Sequence, residues 1–491
     1  MNTDAPIFDE LYVVSDLHLG APAGHQIFGQ GARLAATIER LAQAASGTSR
    51  ALVINGDFVD FLAEEPSEYF DAAGAVRKLA RIIADAGFSP VFQALRRLLK
   101  SPGGHVVIVL GNHDVELALP HVQHWLGHWL SEGADDRLGR LHFATDGAGY
   151  QCQVGNKRVL CIHGNEFDDW NVIDHRALLQ FIRAWNRGQT LPTWTPNGGT
   201  RLVIDVMTSA KRKHALVDLL KPETKAAVPL VLAFSPELLA KAGAAVRAVS
   251  VRTFDGLRMS AGFLGSETPS EGRRPSEAEA LMATLSAAEP PPRALSGRAV
   301  PGVPSEFREA QQRIELKQPP LLGYDPNAPV EMLGLREWWN ERSLPTLRAA
   351  LQRWLANDKT FDVATKDETF NAVDEAVGSG VEYVFAGHTH LRRALPRRWP
   401  GCAYFNTGTW IRLMRLDKSL LENEEAFATV VDALRGKNIA ELDQARLNGV
   451  AVVQHISTVG SVQAQDGQVF ARLNDAQDDG TLVPVAGTEF T

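Results

Sequence analysis

Short apolar runs alternate with amphipathic stretches over the first 110 residues, and few folds accommodate that order. Residues 11–14, 51–54 and 106–110 have the length and composition of buried strands. Between them, residues 32–45 and 76–100 repeat apolar side chains every three or four positions, which is the period of a helix packed on one face. Strand and helix in alternation predict a mostly parallel sheet, with functional groups in the loops that follow the strands.

The pattern changes after residue 142. Residues 149–154 and 157–162 alternate around Gly155-Asn156, which predicts a β-hairpin. Helical periodicity then dominates in three segments: 202–220, 236–249 and 331–355. Strand character returns in four segments: 381–386, 403–406, 450–456 and 468–473.

The length of the chain, 491 residues, exceeds what one hydrophobic core usually supports. We therefore predict a domain built from residues 1–174 and 366–491 and interrupted by a largely helical insertion at residues 175–365. Residues 265–307 of that insertion contain seven prolines among Ser, Glu, Ala and Arg. Such a composition is typical of flexible segments, so we expect a linker at about 265–320.

Composition restricts the class of protein. With 45% hydrophobic and 22% charged residues the chain has the make-up of a globular protein, and its net charge of -8 weighs against a surface devoted to nucleic acid. Three cysteines without a CxxC pair predict neither a disulfide framework nor a thiolate zinc site, and they favour a reducing, cytoplasmic location. Residues 1–14 lack the apolar core of a secretory signal. Apolar stretches such as 226–234 are too short for a transmembrane segment.

Five short motifs, each directly after an apolar run, carry the residues suited to chemistry. They are Asp16-Leu17-His18, Gly56-Asp57-Phe58-Val59-Asp60, Gly111-Asn112-His113-Asp114, His163-Gly164-Asn165 and Gly387-His388-Thr389-His390. Residues two apart in an extended segment point to the same side, so the first and last motifs can each present two ligands to one cavity. Carboxylate, imidazole and amide oxygen together suit Mn, Fe, Zn or similar ions. A bridging carboxylate can hold two such ions roughly 3.5 to 4 Å apart, and such a pair can clamp a phosphoryl group.

The order D-x-H, G-D, G-N-H-[DE], H and G-H-x-H resembles that of the calcineurin-like metallophosphoesterase superfamily. The resemblance covers about residues 11–174 and 381–413. It implies a four-layer α/β sandwich, in which helices flank two mixed β-sheets, and two divalent metal ions. A first ligand group would consist of Asp16, His18, Asp57 and His390. A second ligand group would consist of Asp57, Asn112, His163 and His388, with Asp57 as the bridge.

The same resemblance implies catalytic roles. His113 would protonate the leaving oxygen and Asp60 would orient it, because an imidazolium near two cations needs an anion to keep its proton. A metal-bound hydroxide would attack the phosphorus of a phosphomonoester, phosphodiester or pyrophosphate. We therefore expect a hydrolase acting on a small-molecule or lipid-linked phosphoester. Arg392 and Arg393 are candidates for binding a phosphate oxygen, with ordinary surface charge as the alternative.

Departures from relatives narrow the substrate. Phe61 stands where serine/threonine protein phosphatases carry Arg, so a protein phosphatase is disfavoured. Residues 15–19 and 406–410 resemble bacterial relatives of the pyrophosphohydrolase that cleaves UDP-diacylglucosamine, although those enzymes often carry Arg at the position of His113. A nuclease on the same scaffold is one alternative, and a basic, aromatic groove would then be expected. A non-catalytic, metal-binding scaffold is another.

Some residues near the motifs admit two interpretations. Asp114, Asp168 and Asp169 are candidates for supporting the ligands, with cap and turn roles as alternatives. Trp170, Trp185 and Trp194 are candidates for stacking on a base or a sugar, but packing within the fold is the favoured interpretation. The motifs leave the native metals and the oligomeric state open.

Overall fold

Two large β-sheets, of seven and six strands, organise the part of the chain that the structure describes, and two small sheets of three and two strands accompany them. This computed structural model describes residues 5–43, 47–168, 171–198, 200, 219–221, 344–355, 358–416, 418–434, 439, 443, 446–447, 450–451, 453–465 and 467–491. The strands are β1 (Ile7–Phe8), β2 (Glu10–Val14), β3 (Arg50–Asn55), β4 (Gly104–Val109), β5 (Leu141–Ala144), β6 (Tyr150–Val154), β7 (Lys157–Cys161), β8 (Leu220–Lys221), β9 (Tyr383–Ala386), β10 (Arg392–Pro396), β11 (Ala403–Thr407), β12 (Arg412–Arg415), β13 (Arg446–Leu447), β14 (Val450–Ala451), β15 (Val453–His455), β16 (Thr458–Gln465), β17 (Gln468–Ala476) and β18 (Leu482–Pro484). The α-helices are α1 (Gly31–Ala42), α2 (Ala75–Ala84), α3 (Ser89–Lys100), α4 (Pro120–Ser131), α5 (Asp135–Leu138), α6 (His175–Asn186), α7 (Leu344–Trp354), α8 (Glu368–Ala376), α9 (Lys418–Glu422) and α10 (Glu424–Leu434).

The larger sheet has the strand order β18-β17-β16-β2-β3-β4-β5. Strands β2 to β5 run parallel, whereas β16, β17 and β18 extend the sheet by antiparallel pairing. Strands β2, β3 and β4 coincide with the three apolar runs near the N-terminus, so the predicted parallel unit is confirmed. Their residues are almost all buried, because helices cover one face of the sheet and the second sheet covers the other.

The smaller sheet has the strand order β1-β6-β7-β9-β11-β10. The predicted hairpin is confirmed, since β6 and β7 pair antiparallel with Val154 opposite Lys157. Strands β7, β9 and β11 run parallel, and β10 pairs antiparallel with β11. Both sheets are therefore mixed, as expected.

Three apolar layers show how the sheets are stacked. Leu11 and Val13 point from β2 into the layer between the two sheets, whereas Tyr12 and Val14 point into the layer beneath helices α1 to α4. On the outer face of the smaller sheet, Phe370 of α8 packs edge-on against Tyr404 at 5.5 Å between ring centres, within a third apolar cluster. The order helices, sheet, sheet, helix confirms the four-layer sandwich.

The segment between β3 and β4 differs from its prediction. The periodicity of residues 76–100 predicts one helix, and the structure has two, α2 and α3. Asp85 leaves α2 with an extended backbone, at ψ 133°, and its carboxylate accepts the N–H of Gly87 at 2.8 Å. Pro90 lies in the first turn of α3, where its missing N–H costs no helical hydrogen bond. The apolar period continues through this turn, so periodicity alone did not reveal it.

Much of the predicted insertion lies outside the described residues. This holds for the helix at 236–249, for the linker at 265–320, and for most of the helix at 202–220. Where that last helix was to end, the structure instead has strand β8, parallel to β12, so this part of the prediction is wrong. Helix α7 confirms the described part of the helix predicted at 331–355. The domain boundaries stay predictions, and no helix among the described residues combines the length and apolar character needed to cross a bilayer.

Glu116 is an acidic side chain buried beside the helical layer. It lies in the 3-10 helix Val115–Ala118 and is 1% exposed, and its Oε1 accepts the N–H of Asp71 at 2.9 Å. Burial, reinforced by the nearby Asp71 carboxylate, raises the pKa of Glu116 to about 7, against two backbone hydrogen bonds that lower it. The folded chain therefore favours the protonated form of Glu116 below about pH 7.

Glu116→Gln tests this effect. The pKa of Glu116 is raised from 4.5 in its unperturbed state to about 7, so its contribution to stability is complete below pH 4.5 and is lost as the pH rises through about 7. Glutamine keeps a carbonyl for the Asp71 amide without a charge. We expect the free energy of unfolding of the variant, relative to that of the natural chain, to increase as the pH is raised from 5 to 8. Urea unfolding at both pH values measures this difference. Glu68→Gln, at an exposed carboxylate, serves as the control. If Glu116→Gln changed the free energy of unfolding equally at pH 5 and pH 8, the raised pKa of Glu116 would be contradicted.

Candidate metal centre

The candidate ligands follow the carboxyl ends of five strands. Asp16 and His18 follow β2, Asp57 follows β3, Asn112 follows β4, His163 follows β7, and His388 and His390 follow β9. Since β2, β3 and β4 belong to the larger sheet and β7 and β9 to the smaller one, the ligands meet where the ends of the two sheets adjoin. The carboxyl ends of parallel strands are the position that the sequence predicted.

Donor atoms of the first ligand group converge. Nε2 of His18 lies 3.1 Å from Nε2 of His390 and 3.5 Å from Oδ2 of Asp57. Nε2 of His390 lies 3.4 Å from Oδ1 of Asp16. Ligands bound at roughly 2.0 to 2.2 Å from one ion are separated from each other by about 3 Å, so these atoms have the spacing of a shared coordination sphere.

The second ligand group shares Asp57 with the first. Nε2 of His163 is 3.3 Å from Oδ2 of Asp57, and Nδ1 of His163 donates to the carbonyl of Asn55 at 2.9 Å. Nε2 of His163 and Oδ1 of Asn112 are buried without a hydrogen-bond partner among the described residues. Orphaned buried polar atoms are rare in folded proteins, and both of these atoms are of a type that binds metal. The residues present therefore fit a second divalent ion.

His388 lies at the edge of this group. Its ring centre is 5.4 Å from that of His163, and its backbone N–H donates to the Asp16 carboxylate at 3.0 Å. Its Nε2 is 2.9 Å from Oδ2 of Asp168, which also accepts from Nδ2 of Asn171 at 2.7 Å. Asp168 thus orients the His388 imidazole. Its neighbour Asp169 lies outside the described residues.

The backbone at the ligands is unusual. Asp16, His18, Asp57, His388 and His390 have φ angles of 53°, 48°, 49°, 67° and 60°. Positive φ is uncommon outside glycine, and such strain collects at functional sites. An extended backbone was predicted to point both residues of a pair to the same side. That prediction was wrong for Asp16 with His18 and for His388 with His390. They converge because each pair occupies a turn just beyond its strand.

Two motif glycines make room for the carboxylates. A Cβ atom on Gly111 would overlap the carboxylate and the amide nitrogen of Asp57, and one on Gly387 would overlap the carboxylate of Asp16. Glycine at these positions lets the loops after β4 and β9 approach the ligands of neighbouring strands. The glycines of the motifs thus have a packing reason that the sequence pattern alone did not supply.

Asp114 fastens two ligand loops together. Its Oδ1 accepts the N–H of Gly111 and its Oδ2 accepts the N–H of Phe58, both at 2.7 Å. One loop carries Asn112 and the other carries Asp57. Asp114 is fully buried, so it supports the ligands and does not face solvent.

Asn55 joins the two sheets beneath the site, and sequence reasoning missed it. Its Nδ2 donates to the carbonyl of Ile162 at 2.7 Å and to that of Phe385 at 3.2 Å. These carbonyls lie at the ends of β7 and β9, so Asn55 holds the end of β3 against both. The available signal was an amide side chain at the end of an otherwise apolar strand.

Residues 406–410 support the Asp16 loop. Thr409 Oγ1 donates to the carbonyl of Asp16 at 2.7 Å, and Asn406 Nδ2 donates to the carbonyl of Gly387 at 2.6 Å. This segment therefore holds two ligand loops in place. Support of these two loops explains the sequence of residues 406–410, and no particular substrate has to be invoked.

His113 and Asp60 lie beside the first ligand group. Oδ2 of Asp60 is 3.2 Å from Nδ1 of His113 and 3.4 Å from Nδ1 of His18. Its Oδ1 accepts the N–H of Ala63 at 3.0 Å, which fixes the carboxylate. The rings of His113 and His18 pack edge to face at 4.7 Å. Asp60 is thus placed to orient both imidazoles through their Nδ1 atoms.

Residues 10–217 match the family model of the calcineurin-like phosphoesterases. This part of the chain is a calcineurin-like phosphoesterase domain. The match includes Asp16, His18, Asp57, Asn112 and His163, and the later motif at 387–390 is brought to the same place by the fold. No curated protein sequence matches the chain.

The electrostatics of the phosphoesterase site reflect three buried carboxylates. Burial raises the pKa values of Asp16, Asp57 and Asp60, but the neighbouring imidazoles outweigh it and hold all three below the usual range. Burial lowers the pKa of His163, yet Asp57 and then Asp16 raise it to about 10. The carboxylates thus favour the protonated form of His163. Divalent ions bound at the site would also compensate the negative charge of the carboxylates.

Lys221 contributes a cation that the sequence did not indicate. The pKa of His390 is lowered to about 4, first by burial and then by the positive charge of Lys221, against the opposing effect of Asp16. Lys221 is 7% exposed and lies in β8. It belongs to the predicted insertion and follows no motif, so only the fold could bring it to the phosphoesterase site.

Arg392 and Arg393 are engaged elsewhere. Nη1 of Arg392 is 2.7 Å from Oδ1 of Asp475. Arg393 is 2% exposed, and its Nε donates to Oδ2 of Asp367, the residue that caps α8. These pairs favour structural roles for both side chains. Contact with substrate, which their position in the sequence suggested, stays a prediction without support from the geometry.

Asp57→Asn tests the bridging position. After loading with Mn and dialysis, we expect about two ions per natural chain and less than one in the variant, because the shared anionic ligand is lost. Elemental analysis measures the ratio. Asp146→Asn, at an exposed carboxylate in the turn before β6, is the matched control and should keep both ions. Two tightly held ions in Asp57→Asn would contradict the bridge.

Proposed function

We propose that this chain hydrolyses phosphate esters at a centre of two divalent ions, through attack of water on phosphorus and protonation of the leaving oxygen by His113. The observation that carries the proposal is the convergence of the two ligand groups on Asp57 in a calcineurin-like phosphoesterase domain. The orphaned atoms of Asn112 and His163 support a pair of ions over a single one.

The ions and the side chains have separate tasks. When bound, the two ions would lower the pKa of the attacking water and neutralise charge on the phosphoryl oxygens. Asp16, Asp57 and the four histidines of the ligand groups hold that positive charge in place. The hydrogen bonds of Asn55 and Asp114 keep the ligand loops at fixed separations, so little reorganisation accompanies the reaction.

His113 supplies the proton for the leaving group. Its Nδ1 faces Asp60, whose carboxylate favours the imidazolium, and Nε2 is the atom that would donate to the leaving oxygen. The Asp60 carboxylate accepts the N–H of Ala63 and also contacts Nδ1 of His18. The same carboxylate therefore orients His113 and the proposed metal ligand His18. A break of the P–O bond would then deliver the electron pair to an oxygen that receives the His113 proton.

His113→Gln tests the proton transfer. A poor leaving group needs protonation and a good one does not, so we expect kcat to fall by about 10² to 10⁴ for an alkyl phosphate and far less for 4-nitrophenyl phosphate. The measurement is kcat across phosphate esters whose leaving alcohols differ in pKa, with metal content checked in parallel. Asp57→Asn provides the blank. If His113→Gln lowered kcat equally for all esters, the proton-donor role would be excluded.

A further inference from the structure

The contact between His388 and Asp168 determines which ring nitrogen of His388 is able to bind an ion. Nε2 of His388 lies 2.9 Å from Oδ2 of Asp168. An ionised carboxylate only accepts hydrogen bonds, so Nε2 carries a proton and Nδ1 is the atom that keeps a lone pair for a metal. Histidine ligands commonly donate their other ring N–H to a carboxylate or a carbonyl in this way. His163 follows the same rule with the nitrogens exchanged, because its Nδ1 donates to the carbonyl of Asn55 and its Nε2 faces Asp57.

Asn171 holds the Asp168 carboxylate toward His388. The Asp168 side chain is 32% exposed, so water competes for its oxygens. Nδ2 of Asn171 donates to Oδ2 at 2.7 Å, the same oxygen that faces the imidazole. The two backbones are also joined, since the Asp168 carbonyl accepts the N–H of Asn171 at 3.0 Å. The position of the carboxylate therefore depends on Asn171.

Two further asparagines fix Asn171 to its surroundings. Its carbonyl accepts from Nδ2 of Asn165 and from Nδ2 of Asn197, both at 3.1 Å. Asn165 is 1% exposed and begins the short 3-10 helix that follows the loop of His163. Asn197 also accepts the N–H of Thr200 at 2.7 Å through its Oδ1. Asn171 is thus anchored both to the loop of a proposed metal ligand and to the start of the predicted insertion.

These hydrogen bonds serve the second ligand group. They connect its two histidines, because Asp168 contacts His388 and Asn165 follows His163. His18, in the first ligand group, is oriented by Asp60 instead. Loss of a bond between Asp168 and its partners should therefore weaken the binding of one ion and spare the other.

We propose that Asp168 and Asn171 are positioning residues for the second metal ion, which hold His388 with its proton on Nε2 so that Nδ1 is the ligand atom. The inference rests on the proposed function, since it concerns the same pair of ions. Asn171 lies outside the five motifs. The affinity for the second ion should thus depend on an amide that does not bind it.

The first experiment removes the carboxylate. Calorimetric titration of the metal-free chain with Mn measures the binding of both ions. We expect Asp168→Ala to lower the affinity for the second ion by about 10- to 100-fold, because neither the imidazole ring nor its proton is held any longer. Asp168→Asn keeps an oxygen that accepts from Nε2, so it should restore part of the affinity. Asp146→Ala, at an exposed carboxylate, is the matched control.

Electron paramagnetic resonance shows whether a single ion is lost. At a Mn concentration that fills both sites of the natural chain, we expect the signal of a spin-coupled pair from the natural chain and that of isolated Mn from Asp168→Ala. Unchanged binding of both ions in Asp168→Ala, or an equal loss of both, would overturn the proposal.

A double-mutant cycle separates positioning from direct binding. If Asp168 acts through His388, Asp168→Ala should cause no further loss of affinity in a chain that already carries His388→Ala. If Asp168→Ala lowered the affinity by the same factor in both backgrounds, the carboxylate would attract the ion directly, and the positioning role would be excluded.

Asn171→Ala tests the amide. It removes the donor to Asp168 and keeps the backbone carbonyl that anchors the loop, so we expect the affinity for the second ion to fall about three- to tenfold. The rise in Tm on addition of Mn should shrink, while the Tm of the metal-free chain should change little. Asn186→Ala, at an exposed position of α6, is the matched control. Full Mn affinity in folded Asn171→Ala would contradict the proposal.

These measurements need no turnover, which separates the inference from the catalytic proposal. Selective loss of the second ion in Asp168→Ala and Asn171→Ala supports the positioning role even if no phosphate ester is hydrolysed. Hydrolysis by the natural chain, with both ions bound normally in these variants, would overturn the positioning role and leave the catalytic proposal standing.

Discussion

Three carboxylates buried together at the ends of two sheets are the constraint on which the site depends. Asp16, Asp57 and Asp60 are buried, and like charges in such surroundings repel one another strongly. Imidazole rings oppose that repulsion, as the raised pKa of His163 shows. The phosphoesterase domain therefore concentrates negative charge where divalent cations and a phosphoryl group can meet it.

The surrounding hydrogen bonds keep this arrangement from relaxing. Asn55 joins the end of one sheet to two strands of the other, and Asp114 joins the loops after β3 and β4. Positive φ angles at five ligands would be costly in an isolated chain. They persist because the four-layer sandwich determines the course of the backbone on both sides of each loop.

The sequence predicted the part of this structure that local patterns encode. Continuous apolar runs marked β2, β3 and β4, and the order of motifs marked Asp16, His18, Asp57, His163 and His390, which the fold brings together. Their role as metal ligands stays a prediction. Periodicity did not show the turn between α2 and α3, because the apolar spacing continues across it. Lys221 and Asn55 were missed since their partners are far away in sequence, and position alone suggested a substrate role for Arg393 that its pairing with Asp367 does not support.

The account depends most directly on where ions bind. Crystals loaded with Mn and measured for anomalous diffraction would locate them. We expect two peaks within ligand distance of the Asp57 carboxylate, one near His18 and His390 and the other near Asn112 and His163. A single peak, or peaks remote from Asp57, would contradict the central claim.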